Sequence, residues 1–169
     1  MGSDRAYASE EDPELVRGAM PFALKTIETL LGDLPTHRGL LLSAVKGFTL
    51  YAYAFVALDA DDAEKRSLAE AREMRERAKG LYLRARDYGM RALEVAHPGF
   101  RRLLDEDARQ ALARLTREDV PGLYWAGAAW AGAISVAKSE MDLVADLRTV
   151  ESLMRRALEF DEGFEGGAI

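Results

Sequence analysis

The stretch Leu123–Lys138, LYWAGAAWAGAISVAK, decides how the rest of the chain is read. From Leu123 to Ala137 it holds no charged residue, and around two tryptophans it is mostly Ala and Gly. Three readings compete: a membrane span, a buried core helix, or the wall of a binding site. A spanning helix needs about 20 predominantly apolar residues. This run is shorter, and Lys138, Glu140 and Asp142 follow at once. No transmembrane segment is therefore expected in the chain. Small residues recur four apart, as Gly127/Ala131, Ala128/Gly132 and Ala129/Ala133. On a helix such pairs share a face. That face is smooth and lets another helix approach closely, so the stretch predicts a core helix.

The flanking sequence is helical nearly throughout, with no period-2 strand and no Asn-Gly hairpin signal. Asp12 and Pro13 announce a first helix, with Pro21 placed to kink it and Gly32 placed to cap its end. Thr36 is the expected cap of a second helix with the stripe Leu41, Ala44, Val45, Phe48, Tyr51, Ala52 and Phe55. From Leu50 to Leu58 that helix is apolar on nearly every side and must be covered all round. The acidic run Asp59–Asp62 reads as a turn that caps a long third helix over about 63–96. It lacks the Gly and terminal Glu of a calcium loop. Short helices follow, then the opening stretch behind the start signal Thr116–Asp119, then a last helix from about Leu147 to Phe160. Short connections make neighbours antiparallel. The fold expected is all-α: a stack of antiparallel helical hairpins, about seven or eight helices in one domain over 12–169, behind a leader of residues 1–11. Two helix ends, MRALEVAHPGF at Met90–Phe100 and RRALEFDEGF at Arg155–Phe164, share Arg-Ala-Leu-Glu, an apolar residue, a turn and Gly-Phe. They suggest a degenerate tetratricopeptide-like repeat. The end on Ile169 suggests a chain that continues.

The 169 residues, 49% of them apolar and 31% charged, suit one globular domain. A net charge of −6 offers nothing general to nucleic acid or anionic lipid. There is no cysteine, hence no disulfide framework and no thiol nucleophile. The two histidines, His37 and His97, have no partner at metal-ligand spacing, and no phosphate loop or serine elbow is present. The sequence argues against an enzyme, a cofactor and a metal site. Aromatic residues stand out instead: Phe48, Tyr51, Tyr53 and Phe55 on the second helix, Tyr82 and Tyr88 on the third, and Tyr124, Trp125 and Trp130 on the opening stretch. One reading is tight core packing. The other is an apolar cleft lined by Phe48, Tyr51, Phe55, Tyr124, Trp125 and Trp130. Arg72, Arg75, Arg77 and Lys79, interleaved with acids on the third helix, are the expected partner contact.

The blocks DPELVRGAMPFALKTIETLL, LLLSAVKGFTLYAYAFV, RAKGLYLRARDYGMRALE, DVPGLYWAGAAWAGAISVAKS and VADLRTVESLMRRALEFDEGFEGGAI lie in order from Asp12 onward. Together they resemble the T component of tripartite ATP-independent periplasmic (TRAP) transporters. The resemblance implies an all-α, tetratricopeptide-like subunit without catalytic activity. It implies a periplasmic location, often through an N-terminal lipid whose cysteine this sequence lacks. It also implies association with the solute-binding P component, a homotrimer, and a cleft for a hydrophobic or organic-acid small molecule. The alternative reading is a periplasmic carrier of lipid or another hydrophobic ligand that acts without the transporter.

Overall fold

The computed structural model describes residues 12–167, and the expected leader 1–11 lies outside them. Every regular element among the described residues is helical. Helix α1 spans Pro13–Asp33. Helix α2 spans Arg38–Glu64 and contains a single π turn, Tyr53–Ala57. Helix α3 spans Leu68–Ala96. The short helices α4, Phe100–Glu106, and α5, Ala108–Ala113, lead through a 3-10 turn, Arg117–Asp119, into α6, Val120–Val136. Helices α7, Met141–Ala145, and α8, Leu147–Phe160, complete the order before a final 3-10 turn, Phe164–Gly166.

Contacts give the directions. Leu93 meets Gly122, Gly89 meets Ala126 and Tyr82 meets Gly132, so α3 and α6 run antiparallel. Leu24 of α1 lies on Gly47 of α2, and Arg17 reaches back to Phe55 and Asp59, which is antiparallel again. The opening stretch is the core helix that its small residues implied. A Cβ on Gly89 would come within 2.8 Å of the Ala126 Cβ, and one on Gly127 within 2.6 Å of the Met154 sulfur. Glycine and alanine let α3, α6 and α8 close to distances that larger side chains forbid. Leu41, Val45, Leu93, Leu123 and Leu153 are fully buried around this seam.

Several local expectations change. Asp59–Asp62 is no turn: it lies within α2, and the break comes later, at Lys65–Ser67. There the Ser67 hydroxyl accepts from the Glu70 N–H and starts α3. The cap of α2 is His37, whose Nδ1 accepts from the Leu40 N–H, rather than Thr36. Helix α1 runs through Pro21 and past Gly32 to Asp33. Among the described residues the helix long and apolar enough to cross a membrane is α2, and not Leu123–Lys138. That apolarity is used inside the protein, since α1, α3 and α6 all pack on α2.

One buried carboxylate fastens three elements. Asp119, 2% exposed, accepts from the Thr116 N–H at 2.9 Å and the Thr116 hydroxyl at 3.2 Å. His97 Nε2 lies 2.8 Å from its Oδ2, and Arg38 donates to its Oδ1 at 2.7 Å. The end of α3, the start of α2 and the start of α6 are thereby joined.

Candidate functional site

A cavity of about 900 Å³ opens where the second half of α2, the first half of α3 and the end of α6 meet. Its walls are Tyr53, Ala57, Leu58, Asp61 and Glu64 from α2, Arg72, Arg75, Glu76 and Tyr82 from α3, and the Ser135–Glu140 segment. The π turn adds a residue to one turn of α2, and Tyr53, Ala57 and the following Leu58 all reach the cavity. Such turns recur where a helix is re-aimed at a site. Leu58 and Tyr53 are 45% and 56% exposed, so part of the apolar surface of α2 that no helix covers faces the cavity.

Four carboxylates of the walls share two cations. Arg75 donates to Glu64 at 2.6 Å and to Asp61 at 3.1 Å, and these carboxylates raise its pKa. Lys79 pairs with Glu140 and Glu76, and those bonds, Glu140 first, raise its pKa above the ordinary lysine value. Arg72 and Lys138 are exposed and have no hydrogen-bond or ion-pair partner among the described residues. Tyr82 is 3% exposed, with its ring laid on Gly132. Burial, with a smaller effect from Tyr53, pushes its pKa up to about 12, so the hydroxyl stays a neutral donor.

The six aromatic residues expected to line one cleft are divided over four places, and none of them lines this cavity. Phe48 stacks on Tyr88 at 5.8 Å, beneath Arg84. Tyr51 and Phe55 pack together at 5.7 Å, with Arg17 over Phe55. Tyr124 meets Trp125 edge-on at 4.9 Å and is covered by Phe164 of the C-terminal segment. Trp130 stands apart, donating to Asp146 at 3.1 Å with Arg86 across its face. Phe48, Tyr51, Tyr124 and Trp125 are core residues, because a 3.6-residue period turns them toward neighbouring helices. Of the four cations expected as a partner contact, Arg72 and Arg75 line the cavity. Arg77 donates to the Tyr51 hydroxyl, and Lys79 is held between two acids. The aromatic residues that do line it, Tyr53 and Tyr82, were visible in sequence only as members of an aromatic set. The π turn that brings Tyr53 there has no sequence signature.

Among the described residues no group of His, Asp and Glu side chains could hold a metal ion. His97 and Asp119 are close, but they lie in the helix junction and not in the cavity.

Comparison with known proteins accords with this architecture. The family model described as TRAP transporter T-component matches residues 9–169. An uncharacterized protein of Treponema pallidum (strain Nichols) is 31% identical over 169 residues, covering 98% of this chain and 52% of that protein. The chain thus spans about half the length of the curated relative it matches. With its helices antiparallel, its α3–α6 seam built from small residues and its family match running nearly end to end, the chain belongs to the TRAP transporter T-component family.

Proposed function

We propose that the protein is a non-catalytic accessory subunit of a periplasmic TRAP transporter, docking the solute-binding P component over the cavity and holding a small molecule there. The observation that carries this reading is a coincidence of place. Arg72 and Arg75, singled out in the sequence as partner contacts, both line this cavity. A partner seated on that face would sit over the mouth, so docking and handover of a solute would use the same surface. The mixed lining suits an amphiphilic molecule better than a purely apolar one.

Titration of the purified P component against this chain by calorimetry tests the docking. A complex is expected, weakened about tenfold by the double charge reversal Arg72→Glu/Lys138→Glu, as for exposed charges that steer and orient a partner. Undiminished binding by the reversed variant moves the interface elsewhere, and no complex at all overturns the scaffold reading. A ligand retained through purification without P-component binding would instead support the independent carrier. The resemblance further supports a trimer and a lipid anchor in the native protein. Light scattering across a concentration series reads the oligomer, and a monomer throughout removes it.

A further inference from the structure

We infer that the segment Lys138–Asp146 is a lid: it forms part of the cavity wall, is latched shut by two carboxylates, and swings open while α6 and α8 stay in place. Lys138, Ser139 and Glu140 line the cavity, and α7 follows them directly. No residue of α7 is buried. Met141 is 73% exposed, and the helix holds to the core through Leu143, which is half-buried. The chain on either side is firmly seated. Ala133, Ile134 and Ala137 are buried at the end of α6, and Val150 and Leu153 are buried in α8. A stretch with few buried contacts between two seated ends is where a fold opens first.

Two polar ties hold this stretch down, one near each end. Glu140 accepts from Lys79 of α3. Asp146 accepts from Trp130 Nε1 of α6 at 3.1 Å, and Arg86 of α3 lies across that ring at 4.7 Å. Both ties can break without stranding a buried group. Lys79 keeps Glu76 at 2.7 Å on its own helix, and the Glu140 side chain is 45% exposed, so water can solvate it. Trp130 and Asp146 are half-buried, so water can replace their bond. Asp119, 2% exposed, is the opposite case: breaking its bonds would leave a charge buried and unpaired. Ties of the first kind are worth little singly, which suits latches rather than struts. Lifting the segment takes Lys138, Ser139 and Glu140 out of the wall, so the cavity opens without movement of α2 or α3. This concerns access to the cavity and holds whatever molecule enters it.

Distances between two spin labels test the lid on the 169-residue chain, which has no native cysteine to compete for the label. The labels go on Asp142→Cys in α7 and Glu73→Cys in α3, both exposed positions. Two distances are expected, a short one for the closed lid and a longer one for the open lid. Removing both latches with Glu140→Ala/Asp146→Ala should raise the ratio of long to short about tenfold and leave the thermal midpoint nearly unchanged. Lys79→Gln leaves the segment's own sequence intact and should raise the ratio about threefold. Three results overturn the inference: a single distance in every variant, a ratio that latch removal does not raise, or a midpoint that falls sharply in the double variant, which would make the segment a structural strut. The experiment contains neither the P component nor a ligand, so these outcomes leave the docking reading untouched.

Discussion

The two halves of α3 use the same helix for opposite purposes. From Tyr82 to Leu93 it is packed against α6 with hardly a gap, glycine against alanine and ring against glycine. From Leu68 to Lys79 it carries paired charges and borders a cavity. The glycines show the difference most clearly. Gly89 is surrounded, with the Ala126 Cβ at 2.8 Å and the Ala126 Cα at 3.1 Å from where its own Cβ would lie. Gly80, little more than two turns away, has nothing within 4 Å. In the packed half a missing side chain is a structural requirement. In the open half it is only a helix residue of poor propensity.

The sharpest way to break this contrast is Gly89→Val. The added atoms would strike α6 backbone and Val45, and a loss of about 3 kcal/mol is expected, read as a lower urea midpoint with unchanged slope. A loss below about 1 kcal/mol would mean that the seam can open. Asp119→Asn attacks the packed region from its end. It weakens the bonds joining α2, α3 and α6 and should lower stability at neutral pH by about 2–3 kcal/mol.

The same carboxylate sets an acid limit. Burial works to raise the Asp119 pKa, but the Thr116 N–H, His97 and the Arg38 charge outweigh it and hold the value below the ordinary one. A depressed folded pKa contributes stability that is fully present above the unfolded value, near pH 4. It is lost as pH falls through the lowered folded value. Urea midpoints from pH 7 downward should therefore fall less steeply for Asp119→Asn than for the natural chain.

Smaller changes probe the open half. Gly80→Ala should raise stability by about 0.5–1 kcal/mol, because alanine restricts the unfolded chain and meets no neighbour. Smallest of all, Phe22→Ser on the outer face of α1, where the ring is 79% exposed, should alter the thermal midpoint by less than about 0.5 kcal/mol equivalent. A large loss there would reveal that α1 is covered by another molecule in solution.

The hint of an internal repeat also divides when seen in three dimensions. Ala92 and Ala157 are both buried, as a shared helix-end motif requires. After the first copy Gly99 takes a left-handed φ of 84°, Phe100 is buried, and Glu94 accepts from the Gly99 and Arg101 N–H groups. After the second copy Gly163 has a φ of −91°, and Phe164 folds over Tyr124. The shared letters lead into different turns, the first into α4 and the second into the 3-10 turn Phe164–Gly166.

What the sequence determined by itself is what depends on local period and residue size. The spacing of Leu41, Ala44, Val45 and Phe48 made an amphipathic helix, and Gly127 and Gly132 within LYWAGAAWAGAISVAK made a helix that others approach closely. These are properties of neighbours along the chain, legible before any contact is known. The tertiary structure alone decided which aromatic rings face a cavity. Tyr51, Tyr53 and Phe55 differ by two residues each in sequence, yet Tyr51 is buried and Tyr53 is 56% exposed at the cavity wall. The π turn and the packing of α1, α3 and α6 around α2 set that choice. A ring's direction depends on the phase of its helix against three partners, and no window of sequence carries that phase.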